Sequence, residues 1–290
     1  MTDDRRAATL IGFTAVLMWS LLATLTAASG PVPPFQLTAL AFAISGGLGV
    51  AWIAANGRLS DLRQPVRAWL LGVGGLFGFH FFYFTALRQA PPAEASLIAY
   101  LWPLLIVVFS ALLPGERLRW FHVVGALLGL AGTVVVVSGG QAMLIDPNAF
   151  PGYAAAFAAA LTWSAYSILS RRFAGVPTGA VAGFCLATSV LSAIAHLVLE
   201  DTVWPVAPGE WLAVVGLGLM PVGAAFYVWD YGVKHGDIQV LGASAYAAPL
   251  LSTIILVVAG FAVATWSLSV AAVLITAGAA LASKSVFRRR

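Results

Sequence analysis

Side chains able to do chemistry are few in this chain, and their positions are selective. Of its 290 residues only 9% are Asp, Glu, Lys or Arg, and none of these four types falls in the middle of an apolar run. His80 does, about thirteen residues into one run and a helical turn from Phe77 and Phe84. A titratable ring at that depth is costly in hydrocarbon and is a functional candidate. It would either carry a proton or sit neutral against a carbonyl or hydroxyl. A second group is aromatic: Trp19, Tyr83, Tyr100, Trp102, Trp163 and Tyr246 lie deep in apolar runs. Such rings can hold a flat substrate edge-on or offset-stacked while phenol and indole groups bind its polar end, or they can pack helices. Trp52, Trp69, Trp120, Trp204, Trp211 and Trp266 lie near run ends, where an interfacial belt explains them.

The third group is backbone. Tyr100-x-x-Pro103 and Tyr246-x-x-Pro249 recur in two runs. Each proline removes the N–H that would bond the carbonyl of Ala99 or Ala245, so each helix should break there. A carbonyl freed in hydrocarbon needs a neighbouring side chain, a water or a ligand's ammonium. Enzyme chemistry finds no support: there is no H-E-x-x-H, no G-x-S-x-G, no intramembrane carboxylate pair and no Walker loop. One cysteine, Cys185, allows no intramolecular disulfide and no Cys-based zinc site. No metal and no cofactor is expected.

The elements that must position these groups are membrane helices. Apolar residues make up 61% of the chain, and 9% charge compares with roughly 25% in soluble domains. Predominantly apolar stretches fall at about 9–28, 35–55, 67–88, 93–113, 120–138, 151–170, 178–199, 210–233, 239–261 and 266–284. Each suits a helix crossing a hydrocarbon core, which takes about 20 residues, and none shows the alternation of a barrel strand. The sequence therefore predicts an all-α membrane protein of ten spans, with the lipid bilayer as its solvent. Net charge of +4 is read through position rather than as nucleic-acid affinity. Fourteen of the fifteen Lys and Arg residues flank one side of the ten spans, and only Arg88 the other, so both termini are expected in the cytoplasm.

The halves resemble each other. A shift of 144 residues pairs Trp19-Ser20 with Trp163-Ser164 and Phe82-Tyr83 with Phe226-Tyr227. A shift of 146 pairs Tyr100-x-x-Pro103-Leu104-Leu105 with Tyr246-x-x-Pro249-Leu250-Leu251, and Trp120 with Trp266. Five spans per half make the second half enter from the opposite side, the inverted repeat of many secondary transporters. The expected organisation is 1–140 as first repeat, 141–150 as outer connecting loop and 151–290 as second repeat.

Ten spans in two halves, a proline within the fourth and ninth, and Gly115-Glu116-Arg117-Leu118 after the fourth resemble the drug/metabolite transporter superfamily in its EamA-type branch. Around His80–Tyr83 and Tyr100-Leu101-Trp102-Pro103 the chain is most similar to bacterial exporters of aromatic amino acids. The resemblance covers essentially the whole chain. It implies a multi-pass inner-membrane exporter with a central cavity lined mainly by the third, fourth, sixth, eighth and ninth helices. One departure is that Ala262 stands where the Glu116 motif would recur, confining any role of that Glu to the first repeat. Substrate contacts are expected from Tyr100, Trp102, Tyr246, His80, Tyr83, Trp163 and Trp19, with Pro103 and Pro249 as helix breaks for gating. The partner is a small molecule, an aromatic or other neutral amino acid, with no nucleic acid and a monomeric carrier. Without an acid at mid-span, facilitated export by alternating access is the first expectation. Export of nucleosides or small drugs, with proton coupling through His80, is the alternative.

Smaller expectations concern packing. Asp230 should pair with Lys234, and Arg88 with Glu94. Gly74-x-x-x-Gly78 and Gly125-x-x-x-Gly129 should let helices approach within the molecule. His122, His196, Glu200 and Glu210 are read as interfacial.

Overall fold

The computed structural model describes residues 3–141, 146–260 and 263–284. Among them there is no strand, and the helices are α1 (Asp3–Trp19), α2 (Leu22–Ala28), α3 (Pro34–Ala55), α4 (Val66–Gln89), α5 (Pro92–Ala99), α6 (Trp102–Phe109), α7 (Trp120–Ser138), α8 (Phe150–Ser170), α9 (Val181–Leu199), α10 (Pro208–Leu219), α11 (Ala225–His235), α12 (Ile238–Ser244), α13 (Ala247–Val258) and α14 (Trp266–Ala282). Residues 142–145 of the expected connecting loop, Ala262 and the basic end Arg288–Arg290 lie outside the described residues.

Eight helical runs are long and apolar enough to cross a membrane, which makes this a multi-pass membrane protein. Two further helices fall outside those eight for separate reasons. α8 has 21 residues, but Tyr153, Thr162, Ser164, Tyr166 and Ser167 dilute its hydropathy. α14 is apolar and stops at 17 residues.

Several runs are interrupted where the sequence has its prolines. α5 ends at Ala99 and α6 begins at Trp102, while α12 ends at Ser244 and α13 begins at Ala247. The expectation of an open acceptor fails at the second break. The Ala245 carbonyl takes the N–H of Ala248 at 3.0 Å, because the chain tightens into a three-residue turn there. Between α10 and α11 a π-helical segment, Met220–Ala224, kinks the run at Gly223 (φ −100°, ψ −108°).

Packing joins the two halves of the chain. α1 lies on α11, α3 on α9, α4 on α8 and α7 on α14. Small residues set the distances: a Cβ on Gly12 would stand 2.9 Å from the Cα of Gly232, so α1 and α11 touch backbone to backbone. Gly125 and Gly129 do the same work against α14 and Tyr246. Gly74 does not, since open space faces it; Gly72 and Gly75 on the neighbouring face meet Phe184 and Tyr166 instead. The expected pair is half right: a Cβ on Gly78 would stand 3.2 Å from Thr162 of α8, while Gly74 faces open space.

Candidate functional site

A cavity of about 630 Å³ opens among these helices. Its floor is aromatic. Trp19 meets Trp163 at 5.7 Å and Trp102 at 6.0 Å between ring centroids, both edge to face, and Phe226 packs on Trp19 and Trp163. Edge-to-face contact is the preferred arrangement for rings whose edges are positive and faces negative, so the floor is held by its own geometry. The walls rise along Phe79, His80, Tyr83, Phe84 and Leu87 of α4, Ser96 and Ala99 of α5, Tyr100, and Pro34, Leu37, Thr38 and Ala41 of α3. Leu22, Ala23, Thr26 and Ala27 of α2 with Val32 reach the rim.

Hydrogen bonds fix the polar groups. Nδ1 of His80 lies 2.7 Å from the Leu76 carbonyl. That oxygen can only accept, so Nδ1 carries the hydrogen in this contact. Phe42, Phe79 and Phe84 surround the imidazole at 5.3–5.9 Å. The Tyr83 and Ser96 hydroxyls are 3.0 Å apart. Trp19 Nε1 donates to the Pro221 carbonyl at 3.0 Å, so a floor residue is tied to the kink between α10 and α11. Among the described residues, no Asp, Glu, Lys or Arg lines the cavity.

Six of the expected contact residues thus meet at one cavity: Trp19, His80, Tyr83, Tyr100, Trp102 and Trp163. Tyr246 does not reach it. Its side chain is 0% exposed and lies in a separate core with Val107 and Ile275. Its hydroxyl accepts the Leu104 N–H at 3.2 Å, an amide orphaned in the first turn of α6. Pro103 and Pro249 lie just past the breaks beside Tyr100 and Tyr246 and do not line the cavity. The first and second spans contribute more than expected, with nine lining residues from Trp19 to Thr38 besides Ala41. Run ends gave no sign that they would face inward.

Below the floor the bundle is closed. Trp229, Val16, Ile106 and Ser167 are all 0% exposed, and Trp229 Nε1 donates to the Ser167 hydroxyl at 3.1 Å. Beyond them, on the face that carries most basic residues, Glu116 takes Arg5 at 2.9 Å and Arg171 at 2.7 Å, and Arg5 also lies 3.5 Å from Asp237. Arg171 donates to the Val233 and Gly236 carbonyls as well, at 3.2 and 3.0 Å. Burial lowers the pKa of this guanidinium from its ordinary value and the Glu116 carboxylate opposes that shift.

Asp230 and Lys234 pair at 2.8 Å, as their spacing predicts. Arg88 departs from expectation: its partner is Glu200 at 2.6 Å, not Glu94. Glu200 also accepts the Phe35 and Gln36 N–H groups at 3.0–3.1 Å and lies 3.0 Å from His196 Nδ1. A carboxylate at the N-terminus of α3 meets orphaned amides and the positive end of the helix dipole. The pair is 112 residues apart in sequence, so no local pattern could reveal it.

Comparison with known proteins agrees along the whole chain. The EamA-like transporter family matches residues 6–138 and 150–284. The aromatic amino acid exporter YddG of Ancylobacter novellus is 61% identical over 97% of this chain and 98% of its own. The protein of the same name from Escherichia coli is 25% identical over 86% and 87%. A solved crystal structure at 60% identity superposes with a TM-score of 0.93 over 98% of this chain and 99% of that one.

Proposed function

The chain belongs to the EamA-like transporter family, and from that premise we propose that it exports aromatic amino acids across the bacterial inner membrane, loading and releasing them through the aromatic cavity by alternating access. It is a transporter and not an enzyme. The observation that carries the substrate is the cavity wall: three indoles, a phenylalanine-rich side and neutral hydrogen-bonding groups, with no full charge among the described lining residues. A volume near 630 Å³ falls within the roughly 300–1,000 Å³ of small-molecule sites. Such a wall suits an indole or phenyl ring. It holds the zwitterionic end through hydroxyls, His80 and backbone, which bind without an ion pair and so release readily. The high identity to an aromatic amino acid exporter supports the same reading.

The topology is ten crossings, the eight long runs with α8 and α14, both termini cytoplasmic, in two inverted repeats, 1–140 and 151–290, joined by an outer loop at 141–150. Two features support this. Exchanging the halves turns α1 on α11 into α8 on α4 and returns α3 on α9 and α7 on α14 to themselves, and all four contacts occur. Basic residues also cluster on one side. On that orientation the cavity opens outward. The carrier works as a monomer, because the cavity is built within one chain. Transport is facilitated, driven by internal substrate: no carboxylate lines the described cavity to bind a proton in competition with substrate.

Proteoliposomes loaded with a panel of amino acids, nucleosides and cationic drugs test the reading. Efflux of Trp, Phe and Tyr ahead of the rest, weakened in Trp102→Ala, is expected. Preference for a nucleoside would overturn the substrate assignment. Uphill movement under an imposed pH gradient that disappears in His80→Ala would overturn facilitation.

A further inference from the structure

The Glu116 cluster brings four charged groups together on one face, and the repeat shows what stands in their matching positions. A shift of 144 carries Arg5 to Ala149 and Arg171 to Ala27, and a shift of 146 carries Glu116 to Ala262 and Asp237 to Pro91. Four ion-pairing groups therefore match three alanines and a proline in the repeated sequence.

The position of the cluster follows from the same mapping. Leu22, Thr26 and Val32 line the open cavity. Their counterparts Tyr166, Ser170 and Val176 line a second, nearly collapsed space of about 10 Å³ on the basic side, about one water in size. Ala27, at the rim of the open cavity, corresponds to Arg171. Arg171 thus stands at the mouth that a cavity on the basic side would have. From there its guanidinium reaches Glu116 of the first half and the Val233 and Gly236 carbonyls of the second. Arg5 and Asp237 extend the tie to α1 and to the start of α12.

We propose that Arg5, Glu116, Arg171 and Asp237 form the cytoplasmic gate of this carrier, and that the missing counterparts make the outward-open form its resting state. The proposal rests on the inverted-repeat reading above. When the inner mouth opens, these contacts part. When the outer mouth closes, Ala27 and Ala149 offer no ion pair in exchange. The Arg88–Glu200 pair does not restore the balance, since it ties α3 and α4 to α9, on which both already pack. Charge-assisted bonds of this kind are the strong ones. Losing them on one side of a two-state equilibrium shifts the populations by about tenfold or more.

The chain carries its own reporter. Ala41 lines the outer cavity, and its counterpart is Cys185, the single cysteine, 0% exposed in this conformation. Opening inward should uncover it. The test is the rate at which a water-soluble maleimide labels Cys185 in full-length protein in nanodiscs without substrate. A second reporter, Ala27→Cys in a Cys185→Ser background, reads the outer rim. Glu116→Gln should raise labelling at Cys185 by about tenfold and lower it at the outer reporter. Arg171→Gln, which takes the cation from Glu116 and weakens the hold on the Val233 and Gly236 carbonyls, should raise Cys185 labelling in the same direction. Unchanged labelling of Cys185 in Glu116→Gln, or a parallel rise at both reporters, would overturn the gate. Because no substrate is present, a failure here is separate from a failure to transport Trp. A wild-type carrier that moves nucleosides yet responds to Glu116→Gln as described would correct the substrate and keep the gate.

Discussion

Tyr100 and Tyr246 occupy matching places in the two halves, each three residues before a proline, yet their environments call for opposite outcomes on substitution. Tyr246→Phe removes a hydroxyl from a fully buried side chain and leaves the Leu104 N–H, 3.2 Å away, without its partner. An unpaired buried donor costs about 1–3 kcal/mol, and the ring itself stays packed against Gly129 and Val107. The variant should melt earlier and bind Trp from the outer side as wild type does. Tyr100→Ala is the converse. Its ring lines the cavity, and losing one aromatic contact with a bound indole costs about 0.5–1.5 kcal/mol, roughly two- to tenfold in affinity. The assay is tryptophan binding to the purified protein in detergent alongside its thermal unfolding. Weakened Trp binding in Tyr246→Phe at an unchanged melting temperature would refute the division of roles drawn from the cavity.

Three other outcomes follow from particular contacts. Trp19→Phe keeps a ring in the floor but leaves the Pro221 carbonyl unpaired, so slower Trp efflux is expected with a stability loss of about 1–3 kcal/mol; wild-type turnover would show that the tie to the kink is idle. Glu200→Ala strips α3 of its cap, about 1 kcal/mol, and leaves Arg88 and His196 without their carboxylate. Arg88 is 39% exposed and water compensates it in part, so a lower melting temperature with folded protein is expected, and an unchanged one counts against the brace. Cysteines at Arg63 and Arg172, both exposed, should react from the cytoplasmic side only and cysteines at Asp201 and Gly209 from outside only; labelling of Arg63→Cys in intact cells would reverse the topology.

Composition and periodicity decide what is uniform over many residues. Long apolar runs, basic residues on one side and a Tyr-x-x-Pro pair per half fix an all-helical membrane protein with helix breaks, because hydrocarbon imposes the same demand on every residue of a span. Deep aromatic residues also marked the cavity, since six of the seven expected contact residues meet there. Tyr246 missed it for a reason the sequence cannot carry. Its ring packs into a second core with Val107 and Ile275, and which of two matching residues faces the cavity is decided by helix packing, not by their shared spacing. Long-range partners were invisible for a simpler reason. Arg88 chose Glu200 over Glu94, and Glu116 gathered Arg5, Arg171 and the neighbourhood of Asp237, because these charges minimise their exposure to hydrocarbon by meeting where helix ends converge. Convergence of helix ends is a property of packing, and only the tertiary structure supplies it.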